Sequence, residues 1–294
     1  LLEGPHRVVG VVSQPDRPRG RGRSVSPSPV SACALGAGLP LLRPERVADP
    51  EVEAALRALA PDLGVVVAFG QFLPKRIREL PRLGHLVNAH ASLLPKLRGA
   101  APIARAILAG ERETGISVMR VEREMDAGAV ALVRRTPIGD DEDAGALTAR
   151  LAALAAEAIA EALNGLAAGT LRFVPQPEGQ ATFAPKLGRE EARLDFREPA
   201  ARLVRRIRAF APRPGAFTTL AGEPLRILAA GAGGSCAGVA PGTVQRGTEE
   251  APLRIATAEG WLVPRVLQRA GGRALPAAEF LRGARLEDGT LLPS

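Results

Sequence analysis

Two side chains with chemical potential lie near the end of one predicted strand. Asn88 is within a mainly apolar run, residues 85–89, that predicts a strand, and His90 follows it directly. Alternate residues of a strand project to the same face, so the amide and the imidazole are expected side by side. Both groups could donate a hydrogen bond to an oxyanion that develops during acyl transfer. On spacing alone, however, a histidine at a strand end is more often a structural residue.

A third candidate is Asp126, on a predicted turn after a probable strand at residues 116–121. A carboxylate at this point could reach a histidine on a neighbouring strand and hold it in one tautomer. An aspartate two residues before a glycine most often marks only a turn. The prediction of a site therefore depends on Asn88, His90 and Asp126 in combination.

These side chains need a sheet to hold them, and the first 168 residues predict one. Short apolar runs alternate with helical patterns, which is typical of βαβ units around a mostly parallel sheet in a Rossmann-like α/β domain. The predicted strands span residues 7–13, 64–69 and 85–89, and the predicted helices span 49–60, 102–109 and 144–167. Ligands of such sheets bind at the carboxyl ends of strands, which is where Asn88 and His90 are expected.

A second domain is predicted after a proline-rich connection. The connection, residues 171–188, contains three prolines and shows no sustained periodicity. One helix at 199–210 is followed by five short strands, at 217–220, 225–230, 242–246, 253–256 and 261–268. This pattern predicts a small β-barrel of the oligonucleotide-binding (OB-like) type. We therefore predict domains at 1–169 and 189–294, joined by a linker at 170–188.

Composition excludes several classes of protein and favours an anionic partner. The 294 residues carry a net charge of +8, with 39 basic and 31 acidic residues, although abundant Ala, Arg, Gly and Pro is also typical of a GC-rich genome. No apolar stretch approaches the ~18 residues of a membrane span. Three histidines and two distant cysteines match no metal-ligand spacing, so we expect no metal site. The few cysteines fit a reducing cytoplasm.

The densest positive charge is a short segment in which arginine alternates with proline and glycine. Four arginines occupy seven residues, at Arg17, Arg19, Arg21 and Arg23. Proline and glycine at this density predict no regular structure. The segment could bind an anion, or it could simply be a solvated, mobile loop.

Several short segments along the chain form, in combination, a pattern that is highly specific for one family. They comprise residues 14–22, 68–71, 88–90, 92–95, 98–103, 126–128, 186–187, 190–193 and 208–210. In these segments the sequence resembles the folate-dependent formyltransferases, and within them the branch that acts on methionyl-tRNA. The resemblance implies transfer of the formyl group of 10-formyltetrahydrofolate to the α-amino group of methionine on initiator tRNA. It also implies a cytoplasmic enzyme without a metal, and we expect a monomer.

The resemblance assigns roles to individual residues. Asn88 and a protonated His90 would stabilise the tetrahedral oxyanion, while Asp126 would orient His90 and relay protons. The folate site would be lined by Ser92, Leu93, Leu94 and Pro95, with Phe69, Gly70 and Leu73 around the pterin. The initiator tRNA would be held by Arg17, Arg19, Arg21 and Arg23 at its acceptor stem, and by Lys186, Arg202, Arg205 and Arg206 on a basic surface of the second domain.

Two other functions stay open at this point. One is a formyltransferase or formyl hydrolase that acts on a nucleotide or sugar amine, and the other is a catalytically inactive RNA-binding module. Members of the family begin with a further strand, a turn and a helix before the strand predicted at residues 7–13. We therefore expect that this 294-residue form lacks that unit and folds poorly unless it is extended.

Overall fold

The fold is described from a computed structural model, which covers residues 1–19, 24–284 and 286–293. The chain forms two compact units. The first comprises Leu1–Arg98, Gly115–Arg134 and Ala153–Thr182, and the second comprises Gly99–Thr114, Arg135–Ala152 and Phe183–Ser294. The division into domains at residues 169 and 188 stays a prediction.

Helices and strands alternate through the first part of the chain, and strands dominate the last part. The helices are α1 (Pro29–Gly36), α2 (Pro50–Ala58), α3 (Lys75–Arg78), α4 (Pro102–Ala109), α5 (Ala144–Ala167), α6 (Ala200–Phe210) and α7 (Ala277–Gly283). The strands are β1 (Val11–Val12), β2 (Arg17–Arg19), β3 (Ser24–Ser26), β4 (Leu41–Leu42), β5 (Gly64–Val66), β6 (Leu86–His90), β7 (Glu113–Arg120), β8 (Val130–Pro137), β9 (Ala216–Leu220), β10 (Glu223–Ala232), β11 (Val244–Arg246), β12 (Leu253–Ala256), β13 (Trp261–Arg269) and β14 (Ala274–Pro276).

A four-stranded sheet in the order β5-β6-β7-β8 carries the candidate site. Strands β5 and β6 are parallel, as are β1 and β4 in a separate pair, and β6 runs antiparallel to β7. The predicted α/β class is confirmed. Strand β6 is internal, with Asn88 opposite Val66 on one side and Met119 on the other. An internal strand has both edges hydrogen bonded, so it is a rigid support for side chains at its carboxyl end.

The local patterns explain why the elements around the site form. Helix α4 begins with Pro102 in its first turn, and Gly110 follows its last residue with a left-handed φ of 75°, a conformation common at helix ends. The predicted bounds of α4 and α5 are confirmed. The predicted strands at 7–13 and 64–69 are longer than the observed β1 and β5, because apolar residues also lie before the paired residues of β1 and after those of β5.

The second unit contains an antiparallel sheet in the order β11-β12-β13-β10-β9, with β14 also paired to β13. This order corrects the predicted barrel: within the part of the chain that the structure describes, the end strands β9 and β11 do not pair with each other. Short strands separated by glycine and proline predict the number of strands, but they do not reveal whether the end strands pair. Helix α6 packs on β10, and its Leu203, Ile207 and Phe210 are buried.

The arginine-rich segment is also more regular than predicted. Strands β2 and β3 form an antiparallel ribbon in which Arg17 pairs with Ser26 and Arg19 with Ser24. The prediction of no regular structure was therefore wrong for this part. Proline is tolerated because a two-stranded ribbon consists entirely of edge strands. The predicted tRNA contacts Arg21 and Arg23 lie outside the described residues.

Candidate active site

His90 and Asp126 meet at the carboxyl end of β6. The distance from His90 Nδ1 to Asp126 Oδ2 is 3.5 Å, and the side chains are only 7% and 15% exposed. The other ring nitrogen, Nε2, donates to the backbone oxygen of Leu97 at 2.9 Å. Both ring nitrogens thus face oxygen atoms of the protein. The structure brings together this predicted pair, which lies 36 residues apart in the chain.

Asn88 lies two residues before His90 on β6, so both side chains project to the same face, and Asn88 is partly exposed. Its neighbours in the sheet are fixed by backbone pairing on both sides. Among the residues that the structure describes, the Asn88 side chain has no hydrogen-bond partner. Its amide N–H groups are therefore available to a ligand at the end of the sheet.

The turn that carries Asp126 has an unusual backbone. Asp126 has a φ of +54°, in the left-handed region that is uncommon for residues other than glycine, asparagine and aspartate. Gly128 follows where no side chain fits, because a Cβ atom would overlap the backbone oxygen of Arg120. The Gln176 side chain holds this turn: Nε2 donates to the backbone oxygens of Asp126 at 2.8 Å and Gly128 at 2.7 Å.

Gln176 is in turn held by a buried arginine. Arg98 is 4% exposed, and its Nε and Nη2 atoms donate to Gln176 Oε1 at 3.0 and 2.9 Å. The same guanidinium donates to both carboxylate oxygens of Glu178 at 2.9 and 3.0 Å. These hydrogen bonds from Arg98 hold the pKa of Glu178 below its ordinary value. A continuous polar network therefore connects Glu178 and Arg98 to the backbone of the Asp126 turn.

The loop predicted to line the folate site is shaped by two buried serines. Ser117 Oγ donates to the backbone oxygen of Ser92 at 2.7 Å and accepts from the Leu94 backbone N–H at 3.1 Å. Ser92 Oγ donates to the backbone oxygen of Lys96 at 2.6 Å. Ser92 is buried, so its hydroxyl supports the loop, whereas Leu93, Leu94 and Pro95 remain partly exposed.

The segment predicted around the pterin follows β5. Phe69 and Leu73 are half-buried, and Gly70 is exposed with a φ of +78°. The backbone oxygen of Phe69 accepts from Gln14 Nε2 at 2.6 Å, and that of Leu73 accepts from Arg78 Nε at 3.1 Å. These carbonyl groups already have partners within the protein.

The predicted tRNA-binding residues differ in how freely they present their charge. Arg17 on β2 is exposed and lies 3.2 Å from Glu45, and Lys186 is exposed in the second unit. On α6, Arg202 is 62% exposed and contacts Glu198 at 3.1 Å. Arg206 is only 16% exposed and also pairs with Glu198, at 2.9 Å.

The remaining arginines of α6 are partly enclosed. Arg205 is half-buried, and a Cβ atom on Gly110 would lie 3.2 Å from its side chain. Arg208 donates from Nε to the backbone oxygen of Glu142 at 2.9 Å, and burial lowers the pKa of its guanidinium. The side chain of Arg19 is not described.

Three supporting residues were missed from the sequence. Ser117 had a signal, since a serine among the apolar residues of a strand is buried and must find a partner. Gln176 had none. Arg98 lies in a segment that supports the resemblance, but its role was not indicated, because its contact with Gln176 joins residues 78 positions apart. No local pattern reports such a pairing.

Neither a metal-binding cluster nor a helix that could span a membrane occurs among the described residues. No group of three or more histidine, cysteine, aspartate or glutamate side chains there is arranged to hold a metal ion. None of the helices in these ranges combines the length and apolarity that a membrane span requires.

Known proteins match this chain over nearly its whole length. A family model described as formyl transferase matches residues 2–163, and one described as formyl transferase, C-terminal domain, matches residues 186–285. A methionyl-tRNA formyltransferase from Pseudomonas paraeruginosa is 45% identical over 97% of this chain and 91% of its own length. Another from Chromohalobacter salexigens is 47% identical over 99% of this chain and 91% of its own length.

Solved structures show the same fold at lower identity. The N-formyltransferase from Helicobacter canadensis, in complex with folinic acid and dTDP-3-aminofucose, superposes with a TM-score of 0.62 over 87% of both chains at 14% identity. This likeness concerns the fold, whereas the sequence relatives define the family. Since two of these relatives share 45% and 47% of their residues with it over nearly its whole length, the chain belongs to the methionyl-tRNA formyltransferase family.

Proposed function

We propose that this protein transfers the formyl group of 10-formyltetrahydrofolate to the α-amino group of methionine on initiator tRNA. The observation that carries the proposal is the arrangement of Asn88, His90 and Asp126 at the carboxyl end of an internal strand, in a chain of this family. A free amide donor beside a histidine–carboxylate pair suits acyl transfer, in which an oxyanion forms and protons move.

The chemistry begins with the amine. An α-amino group has a pKa of about 7.7–8.0, so much of it is protonated near neutral pH and cannot attack a carbon. Once it is deprotonated, its nitrogen forms a bond to the formyl carbon, and the formyl oxygen becomes an oxyanion. The Asn88 amide donates a hydrogen bond to that oxygen, whereas the His90 imidazolium, whose ring nitrogens face Leu97 and Asp126, stabilises it through its positive charge. The C–N bond to folate N10 then breaks, and N10 gains the proton that the attacking amine loses.

Asp126 has two tasks in this scheme. Its carboxylate lies 3.5 Å from His90 Nδ1, so it stabilises the imidazolium and fixes the orientation of the ring. Directly or through a water molecule, it accepts the proton of the attacking amine and passes it towards the leaving nitrogen. Because Asp126 is mostly buried, water competes weakly for it.

The donor would lie on the exposed faces of two loops. Leu93, Leu94 and Pro95 offer a partly apolar edge, and the segment at Phe69, Gly70 and Leu73 follows the neighbouring strand β5. A flat heterocycle suits such an edge, because apolar contact and backbone hydrogen bonds act together. The folinic acid in the related N-formyltransferase supports the class of ligand.

The acceptor would be held largely by arginines. A guanidinium pairs with phosphate through a planar fork and stacks on unpaired bases, which suits an RNA acceptor end. Arg17 and Arg202 are the most exposed of the described candidates on their elements, and their ion pairs with Glu45 and Glu198 lie at the surface. Such pairs contribute at most about 1 kcal/mol, so phosphate can displace them. We also propose that the enzyme is a cytoplasmic monomer.

Binding of tRNA should therefore depend on salt, and Arg17 should account for part of that dependence. For Arg17→Ala we expect weaker binding and a slope of log Kd against log salt that is smaller by about one unit, as when one phosphate contact is lost. Filter binding with charged initiator tRNA at several salt concentrations measures both. Arg82→Ala is the matched control, since Arg82 is also an exposed arginine, 73% against 60% for Arg17, and likewise pairs with one acidic side chain, Asp62, among the described residues. Unchanged binding for Arg17→Ala would remove this residue from the interface.

The proposed function is tested by the choice of acceptor. Single-turnover formylation with 10-formyltetrahydrofolate should be fast with initiator methionyl-tRNA and undetectable with an amino sugar linked to a nucleotide. The opposite order would assign the enzyme to small amines. If calorimetry detects no folate binding by the folded protein, a catalytically inactive RNA-binding module would be the better account.

A further inference from the structure

Part of the segment that the sequence predicts as a linker forms hydrogen bonds with the residues around His90. Residues 173–182, here the strap segment, pair with the rest of the first unit at both ends. Val174 exchanges two backbone hydrogen bonds with Val130, at 2.8 and 2.9 Å. At the other end, the Arg98 backbone N–H donates to the Thr182 backbone oxygen at 2.9 Å. The strap segment therefore has a fixed register on its neighbours.

Near the first end, Gln176 uses its whole amide to hold the Asp126 turn. Its two N–H donors go to the backbone oxygens of Asp126 and Gly128, and its oxygen accepts twice from Arg98. An amide has one donor end and one acceptor end, so the arginine fixes which end faces the turn. With the donor end in that position, the two carbonyl groups are held together and the positive φ of Asp126 is maintained.

Near the second end, the strap segment holds the other partner of His90. Thr182 Oγ1 accepts from the Leu97 backbone N–H at 2.9 Å, and the Leu97 backbone oxygen accepts from His90 Nε2 at 2.9 Å. Leu97 also has a positive φ, of 60°. Both oxygen groups that face the His90 ring thus belong to residues in an unfavourable backbone conformation, and the strap segment contacts the backbone of both.

We infer that Gln176 is a positioning residue for formyl transfer, which acts through Asp126, and that Arg98 keeps the Gln176 amide in its working orientation. The inference rests on the proposed function. Gln176 does not touch the substrates in this account. It keeps the Asp126 carboxylate at a distance from His90 that allows charge stabilisation and proton movement, and small displacements of such groups are costly to the rate.

A double-mutant cycle separates this role from general support of the fold. Gln176→Ala, Asp126→Asn and the double variant are compared with the wild type by single-turnover formylation at saturating substrates. A residue that acts through Asp126 should have little further effect once the carboxylate is gone, because coupled residues are not additive. A residue that only supports the fold should lower the rate by the same factor in both backgrounds.

The expected results are specific. Gln176→Ala lowers the single-turnover rate by about 10²-fold, the cost of a small misplacement, while KM for both substrates changes less than about threefold. In the Asp126→Asn background the same substitution lowers the rate by less than about threefold. Gln180→Ala is the matched control: it is the same residue type in the same segment, and its side chain is exposed. It should retain the wild-type rate.

Gln176→Glu adds a chemical test at nearly constant shape. A carboxylate still pairs with Arg98, but it presents oxygen instead of N–H donors to the carbonyl groups of Asp126 and Gly128. We expect a loss at least as large as that of Gln176→Ala. A Gln176→Glu enzyme with the wild-type rate, or an additive double-mutant cycle, would overturn the inference.

Two further measurements keep the inference testable under other outcomes. If Gln176→Ala does not fold, Gln176→Met replaces it in the cycle, because methionine has a side chain of similar length without the amide group. If the wild type formylates no tRNA, the proposed function fails, yet ¹⁵N NMR of the histidines still reads the geometry, because the chain has only three. The His90 ring signals should move in Gln176→Met and stay in Gln180→Ala. Unmoved His90 signals in a folded Gln176 variant would contradict the positioning role.

Discussion

Replacing His90 with alanine is expected to lower the single-turnover rate of methionyl-tRNA formylation by about 10²–10³-fold, the range for loss of a group that stabilises an oxyanion. The ring lies between the Leu97 backbone oxygen and the Asp126 carboxylate. Alanine removes the positive charge near the developing oxyanion and leaves Asp126, a mostly buried carboxylate, without its neighbour. Rapid-quench formylation at saturating substrates measures the rate of the chemical step.

His6→Ala is the control for the His90 substitution. His6 contacts Asn164 at 2.9 Å, near the start of the chain and away from β6 in sequence, so its loss should leave the rate within about threefold of the wild type. Calorimetry with folate should show that the His90 variant still binds the donor, because the ring acts on the reacting group. Wild-type turnover by a folded His90→Ala protein would rule out the proposed role.

The position of Asn88 and His90 could be predicted from sequence because it depends on a local repeat. Strand residues alternate faces, so a spacing of two is enough to place both side chains on one face of β6. The bounds of α4 and α5 follow for the same reason: α4 has an initial proline and a final glycine, and α5 has apolar residues at helical spacing, and all of these are local signals. Such features hold whatever the remainder of the chain does.

The contacts that complete the site could not be predicted in this way. Gln176 and Arg98 are 78 residues apart, and the proline-rich segment around Gln176 is typical of a linker. Its order comes from hydrogen bonds that Gln176 makes to the turn at Asp126 and that the Thr182 backbone oxygen accepts from the Arg98 backbone N–H, and only the folded chain supplies these partners. Polar residues in an apparent linker can therefore belong to the site, which composition alone does not indicate.

The sequence also does not reveal which arginines of α6 are exposed and which are paired with carboxylates. Periodicity places Arg202, Arg205 and Arg206 on one face of α6, and the structure separates them by environment. Arg206 is mostly buried against Glu198, whereas Arg202 is largely exposed. An arginine that already pairs with a carboxylate contributes less attraction to RNA than its formal charge suggests. The net charge of +8 therefore overestimates the positive charge that the protein presents to tRNA.

Replacing Asn88 with alanine should lower the single-turnover rate by about 10²–10³-fold, or about 2.7–4 kcal/mol of transition-state stabilisation, as for other lost oxyanion donors. The Asn88 amide is partly exposed and, among the described residues, has no internal hydrogen-bond partner, so nothing in that part of the protein competes for its N–H groups. The oxyanion exists only after attack. KM for the donor and the tRNA should therefore change little, and the loss should appear in kcat.

Asn88→Asp tests whether the amide donates a hydrogen bond or only fills space. Aspartate has nearly the same shape, but when ionised it only accepts hydrogen bonds and brings a negative charge towards the oxyanion. Its rate should be as low as that of Asn88→Ala or lower, with a melting temperature close to that of the wild type. An Asn88→Asp enzyme faster than Asn88→Ala would mean that Asn88 shapes the site. The charge on the formyl oxygen would then depend on His90 alone.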